Sequence, residues 1–274
     1  MPPVRAQSLQ ASRRLLRAHT KPRPVILYEY PLSERVRTLL RLEHLFRRVN
    51  FLLQRAHPFD HHYALLSLFE IMDVATRQDL KSELLKDLER QRQQFLSFRG
   101  NPSVSEVTLE EVLTEIDSAF QDLSQQVGKP GQQLLENDWL MAIRSRASIP
   151  GGTCEFDLPA YYAWQHLPED QRRLDMTHWF EVFSPLSMAV ELLLRLLRDS
   201  GVPHKTLAAG GTYQQNLGGR HYQLMRLRVD GALGVVPETT GHRLMVSVRY
   251  MRPDAEWKLK PVTTDVAFEI ALCP

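Results

Sequence analysis

The spacing of apolar residues changes near Pro203, and that change limits what this 274-residue chain can fold into. From Ser33 to about Ser200, apolar residues recur every three or four positions, which is typical of amphipathic helices. After Pro203, apolar and polar residues alternate, which is typical of strands in an antiparallel sheet with one solvated face. The sequence therefore predicts an α+β protein, with a mostly helical domain followed by an antiparallel β-strand domain.

Helix start signals divide the first region. Helices are predicted to begin at Ser33, Asp60, Asp79, the T-x-x-E capping box Thr108–Glu111, and Ser184 before Pro185. Further helices are predicted over about 132–146 and 174–182. Residues 153–158, after a glycine pair, are predicted to form a short strand within the helical domain.

Strand patterns occur at both ends of the chain. In the C-terminal region, three segments are predicted as strands: His221 to Asp230, Arg243 to Tyr250, and Asp265 to Leu272. Pro24 to Tyr30 is also predicted as a strand, and only the C-terminal sheet can supply its partners. The predicted organisation is therefore an extension (1–23), an N-terminal strand (24–32) joining the β domain, an inserted helical domain (33–200), and the β-strand domain (201–274).

The extension carries six Arg and Lys residues and no Asp or Glu. We expect a disordered basic segment or an upstream start codon. A mitochondrial presequence is the alternative, because it has the same Arg- and Ser-containing, acid-free composition.

Composition argues against several functional classes. The formal net charge is only +2, and the two cysteines, Cys154 and Cys273, are too far apart in sequence to suggest a disulfide framework. We expect free thiols in a reducing, cytoplasmic compartment. No apolar run approaches the roughly 18 residues of a membrane span, so no membrane partner is expected.

Enzyme signatures are also lacking. The glycine pairs match neither a P-loop nor a dinucleotide fingerprint, and no G-x-S-x-G motif occurs. His57, Asp60, His61 and His62 cluster at a helix start, where capping is an alternative to metal binding, and no second cluster completes a ligand shell. We expect no enzyme activity, no cofactor and no metal.

The basic residues of the first helix form a row. Arg37, Arg41, His44, Arg48 and Arg55 share one helix face, away from the apolar stripe. An ordinary solvated face is one interpretation. However, Glu43 is the only acid between Arg37 and Arg55, so the row has few partners within its helix and is suited to an acidic ligand.

The predicted sheet supplies further basic residues. Arg243 and Arg249 lie on the outward face of one predicted strand, opposite its apolar face. Arg226 and Arg228 share a face of another strand. Neighbouring strands place such residues within ~5–8 Å, so they are candidates for a compact cationic surface. Met245 between the first two suits an adaptable peptide-binding surface. The alternative is cross-strand pairing with Asp265 and Glu269.

Three segments resemble the ZapD family. They are YEYPLSERVRTLLRLE at 28–43, SIPGGTCEFDLP at 148–159, and GHRLMVSVRYM at 241–251. The resemblance extends from about Pro24 to the C-terminus, with the motifs in the family's order.

The resemblance implies a bacterial cytoplasmic cell division factor that acts at midcell. Members of the ZapD family form homodimers from a helical and a β-strand domain, bind the C-terminal tail of the tubulin-like protein FtsZ, and bundle its filaments to stabilise the Z-ring. The basic positions that match the family's tail-binding residues are Arg41, Arg77 and Arg249, with Arg37 and Arg243 as basic neighbours.

The match has departures. Met245 stands where a basic residue occurs in relatives, Tyr162 stands where an imidazole is expected, and Asn137-Asp138-Trp139 lacks an expected basic residue. The alternative function is nucleic-acid binding through the same basic faces. The low net charge, the lack of a known motif and the lack of interleaved aromatic residues all argue against it.

Overall fold

The computed structural model describes residues 24–76 and 79–274. The predicted extension, 1–23, lies outside this part of the chain. The described residues divide into two compact units. The helical unit is Ser33–Asp199, and the β unit combines Ser200–Pro274 with the described residues through Leu32.

The helical unit is built from α-helices joined by short connections. In chain order they are α1 (Glu34–Leu53), α2 (Pro58–Ala75), α3 (Leu80–Leu96), α4 (Glu106–Gln125), α5 (Asp138–Ala147), α6 (Pro159–Gln165), α7 (Glu169–Glu181) and α8 (Ser184–Asp199). A 3₁₀ helix, Gln132–Glu136, precedes α5. Helix α8 contacts α1, α3 and α4, and its apolar residues Leu186, Val190 and Leu194 are completely buried.

Helix α1 forms as its sequence predicts. The Ser33 hydroxyl accepts a hydrogen bond from the Val36 amide at 3.2 Å, which satisfies one of the free donors at the helix start. The apolar stripe of α1 is buried, with Leu42 completely inaccessible. The same stripe that drives packing therefore leaves the opposite, arginine-bearing face to solvent.

Two predicted helix starts are corrected by the structure, and a third is confirmed without the predicted side-chain cap. Helix α2 begins at Pro58 after His57, so Asp60 lies in its first turn. Asp79 precedes α3 but has a left-handed backbone (φ 72°) and makes no capping bond with its side chain. Helix α4 is capped by Ser105, whose hydroxyl accepts from the Thr108 amide, so Thr108 and Glu111 are inside the helix.

The region around 132–182 is more divided than predicted. A single helix over about 132–146 is wrong, because Asn137 ends the 3₁₀ helix and caps α5 with its side-chain oxygen. The predicted strand over 153–158 is also wrong: this segment forms turns, tied by the Leu158 amide donating to the Cys154 carbonyl at 2.9 Å. Helix α7 starts at Glu169, earlier than predicted.

The β unit contains two antiparallel sheets. The strands are β1 (Val25–Pro31), β2 (His204–Ala208), β3 (Thr212–Asn216), β4 (Leu224–Asp230), β5 (Val236–His242), β6 (Met245–Pro253), β7 (Leu259–Pro261) and β8 (Val266–Cys273). The first sheet has the order β1-β4-β8-β2, and the second has the order β3-β6-β5, with β7 also paired to β6. The predicted pairing of the N-terminal strand with the C-terminal sheet is confirmed, because β1 pairs with β4.

The two sheets enclose one apolar core. Alternate residues of β4 and β8 in the first sheet, and of β6 in the second, contribute completely or nearly completely buried side chains, among them Leu227, Ile270 and Val248. Tyr250 and Phe268 meet edge to face, with ring centroids 5.3 Å apart. The outward positions of each strand are consequently available for polar side chains.

Candidate peptide-binding surfaces

Arg41 belongs to the predicted basic row and lies near the middle of α1. It is exposed and makes no ion pair with any residue that the structure describes. Arg37, one helical turn earlier, is less free: its Nε donates to Glu34 Oε1 at 3.0 Å. Two positions of the predicted tail-binding set therefore lie on one helix face, with an unneutralised charge at Arg41.

The rest of the α1 row differs from the prediction. Arg48 donates to Glu70 at 2.6 Å. Arg55 was predicted on the same helix but lies after its end at Leu53, and it donates to Asp60 at 3.0 Å. Both carboxylates belong to α2, which packs against α1. Counting acids within α1 missed these partners, because they are supplied by a neighbouring helix. The continuous cationic row is therefore reduced to its first half.

Arg249 lies on the outer face of the second sheet. Its neighbours across the strands are Thr212 on β3 and Glu238 on β5. Arg249 is exposed and, within 24–76 and 79–274, makes no ion pair, even with Glu238. The side chain is therefore available to an external carboxylate, with the half-buried Met245 and Ser247 on the same face of β6.

The other predicted sheet arginines do not share this surface. Arg243 lies in the turn between β5 and β6, rather than on a strand. Arg226 and Arg228 belong to the first sheet, where they pair with Glu29 at 3.0 Å and with Glu269 at 3.3 Å. A single cationic patch of all four residues is therefore wrong, and the alternative of cross-strand pairing holds for Arg228 and Glu269.

The remaining positions have distinct surroundings. Arg77 lies outside the described residues. Tyr162 is exposed, and its ring centroid is 4.4 Å from that of His166. Trp139 packs among other aromatic rings, with centroids 5.6 Å from Trp164 and 5.3 Å from Trp179. The segment that lacks an expected cation thus contributes a packing residue.

The histidines near the start of α2 have separate structural roles. The His57 ring accepts a hydrogen bond from the Phe59 amide at 3.2 Å. His61 Nδ1 accepts from Arg172 Nε at 3.1 Å, and His62 Nδ1 is 2.8 Å from the Tyr161 hydroxyl. Across the described ranges, no group of three or more His, Cys, Asp or Glu side chains is arranged to hold a metal ion.

A groove of ≈ 520 Å³ runs between α4 and α8. Its charged lining includes Arg195, which pairs with Glu115, and the second acid Glu191. No histidine or cysteine is among its described lining residues. Separately, no described helix has both the length and the apolar character needed to cross a membrane.

Comparison with known proteins decides the family. The model of the ZapD family, described as a cell division protein, matches residues 40–249. The chain belongs to the ZapD family. Two curated relatives are named "Cell division protein ZapD". The one from Ralstonia pickettii is 51% identical to this chain, and the one from Ralstonia nicotianae is 52% identical. Each alignment covers 91% of this chain and 99% of the relative.

A third relative of the same name, from Cupriavidus metallidurans, is 50% identical over 91% of this chain and 99% of its own length. Identity at this level over nearly the whole relative supports a role in cell division for this ZapD-family chain. The matched region includes α1 from Leu40 onward and β6 through Arg249, so it contains both Arg41 and Arg249.

Proposed function

We propose that the chain binds the C-terminal tail of FtsZ and, as a homodimer, cross-links FtsZ filaments in the cytoplasm at midcell. Two arginines, Arg41 and Arg249, make the principal contacts, and Arg37, Arg243 and Arg77 add positive charge. The role is that of a non-enzymatic binding protein that needs no cofactor.

The observation that carries this proposal is the combination of exposure and missing counter-charge at Arg41 and Arg249. Most of the named arginines elsewhere in the described chain meet a carboxylate, as Arg48 and Arg228 do. An exposed guanidinium without an internal partner keeps its fork of donors for a carboxylate of a ligand. The family resemblance implies that the FtsZ tail mixes acidic and apolar residues, and Met245 beside Ser247 offers such a peptide adaptable apolar contact.

Bundling follows from divalency. A two-fold symmetric dimer presents each tail-binding arginine twice, so one dimer joins two filaments. A filament carries many tails, and each bound tail raises the effective concentration of the next. Weak single-tail binding is therefore sufficient for stable bundles.

The direct test is titration of an FtsZ tail peptide against charge-reversed variants. Arg41→Glu and Arg249→Glu are each expected to weaken binding, because losing one charge-assisted hydrogen bond costs ~1.5–3 kcal/mol and the reversal adds repulsion. The double variant is expected to show no measurable binding. Substitution at exposed positions changes folding stability by less than ~0.5 kcal/mol, so the circular dichroism spectrum is expected to remain native.

Matched controls separate the surface from net charge. Lys86→Glu changes an exposed cation on α3 that has no ion pair with a described residue, as Arg41→Glu does on α1. Lys205→Glu places a second acid opposite Glu269 on β8, just as Arg249→Glu places one opposite Glu238. Both controls are expected to retain peptide binding. Unchanged affinity in the folded double variant contradicts the proposal, and an equal loss of peptide and DNA binding favours the nucleic-acid alternative.

A further inference from the structure

A small cavity of ≈ 200 Å³ lies within the β unit, where three segments meet. They are Leu32 just after β1, the connection between β3 and β4, and the end of β5 with the turn that follows it. All of its lining residues belong to the β unit, so its shape depends on that unit alone.

Backbone hydrogen bonds hold these segments together. The Leu217 amide donates to the Leu244 carbonyl at 2.8 Å, which ties the β3–β4 connection to the β5–β6 turn. The Leu32 amide donates to the Gln223 carbonyl, also at 2.8 Å. Gly241 permits close packing, because a Cβ there would lie 2.5 Å from Leu32 Cδ2. The cavity is therefore largely pre-formed, with Leu32 and the buried Leu217 as its apolar lining.

Every charged or imidazole side chain that lines the cavity is basic. Its basic residues are Arg220, His221, His242 and Arg243, and no Asp or Glu lines it. Among the described residues, neither arginine has an ion-pair partner. His242 Nδ1 accepts from the Leu244 amide at 3.3 Å, so in the neutral ring Nε2 carries the donor proton.

We propose that this cavity binds a phosphate group. Guanidinium groups offer paired donors that match the oxygens of phosphate, and two of them line one cavity here without competing carboxylates. The volume is below the ~300–1,000 Å³ of sites for drug-sized ligands, so the cavity suits a compact anion or the phosphate end of a larger molecule.

The site overlaps the set of residues proposed to bind the FtsZ tail at one position only. It shares Arg243 with that set, but Arg220, His221 and His242 were not singled out by sequence reasoning. The available signal was the pair of short runs Gly218-Gly219-Arg220-His221 and Gly241-His242-Arg243, which a search for established motifs does not detect. Phosphate binding here does not require that the chain bind FtsZ.

Isothermal titration with inorganic phosphate, at an ionic strength matched with sodium chloride, tests the proposal. The unaltered chain is expected to bind one phosphate per protomer. Arg220→Gln is expected to weaken binding roughly tenfold or more through loss of charge-assisted hydrogen bonds. Arg220→Lys keeps the charge but loses the fork, so it is expected to bind with intermediate affinity. It also serves as the test variant if Arg220→Gln does not fold.

Arg249→Gln is the matched control, because it removes an exposed arginine of the same unit that does not line the cavity and has no ion pair with a described residue. Arg249→Gln is expected to keep phosphate binding and to weaken binding of the FtsZ tail peptide. Arg220→Gln is expected to weaken phosphate binding and to keep binding of the peptide. A nucleoside monophosphate distinguishes the source of the group. If the nucleoside monophosphate binds as tightly as inorganic phosphate, the ligand of the cavity is a free anion. If it binds more tightly, the ligand is a phosphate ester. No heat of binding beyond that of chloride, or equal affinity in the wild-type chain and both Arg220 variants, overturns the proposal.

Discussion

At the scale of single residues, the buried Arg172 organises the start of α2. It is 5% exposed and donates to His61 Nδ1, to the Ala56 carbonyl at 2.6 Å, and to the Gln165 and Leu167 carbonyls. Because an arginine cannot accept a hydrogen bond, His61 must present an unprotonated Nδ1. The contact between Arg172 and His61 could not be predicted from the sequence, because the two residues are 111 positions apart.

We predict an acid-sensitive stability that depends on His61. Burial and the neighbouring Arg172 lower the pKa of His61 below its ordinary value of 6.5, and burial also lowers the pKa of His62. As pH falls below 6.5, the unfolded chain takes up protons that the folded chain resists. The free energy of unfolding is therefore expected to be highest above that pH and to decrease on acidification, as measured by urea unfolding at pH 7.5 and 5.5.

Two variants isolate this effect. His61→Gln keeps an acceptor for Arg172 but does not titrate, so its stability is expected to fall less between the two pH values than that of the wild-type chain. His44→Gln, which changes an exposed histidine on α1, is expected to leave the difference unchanged. A pH dependence of His61→Gln equal to that of the wild type contradicts the assignment.

At the scale of elements, strong periodicity was predictable and polar segments were not. The stripe and cap of α1 and the alternation of β6 and β8 were recognised from sequence. By contrast, β3 (Thr212–Asn216) is largely polar, and β5 (Val236–His242) contains a proline and a glycine, so neither has a strand signal of its own. Both form because β6 lies between them and supplies their hydrogen bonds.

Two glycines at separate positions allow the cost of backbone conformation to be compared with the cost of packing. Gly100 and Gly131 both have left-handed backbones, with φ of 75° and 77°. A Cβ at Gly100 meets nothing within 4 Å, whereas one at Gly131 would overlap the ring of Phe183, which is 1% exposed. Gly100→Ala is expected to cost about 1–2 kcal/mol from conformation alone. Gly131→Ala is expected to cost about 1–3 kcal/mol more through overpacking.

The measurement is chemical denaturation of both alanine variants beside the wild-type chain, with the slope against denaturant confirming a comparable transition. Equal destabilisation of the two variants would show that the start of the 3₁₀ helix shifts to accommodate the added methyl group.

At the scale of the whole molecule, the chain places its first described strand in the sheet built by its last third. This pairing was predictable, because an isolated strand at the N-terminus needs partners and only the C-terminal region has unsatisfied strands. The distribution of ion pairs was not predictable. Glu70 and Asp60, both in α2, pair with Arg48 and Arg55, so the basic row is shorter than the sequence predicted. Arg41 remains exposed, and its role in binding stays a prediction.

The most direct test of the central claim is co-sedimentation with FtsZ polymers, using full-length FtsZ and FtsZ without its C-terminal tail. The wild-type chain is expected to pellet with full-length polymers and to bundle them, and to stay in the supernatant with the tailless polymers. The Arg41→Glu and Arg249→Glu double variant is expected to remain in the supernatant with both, while Lys86→Glu pellets as the wild type does. Equal pelleting with full-length and tailless polymers would contradict the account.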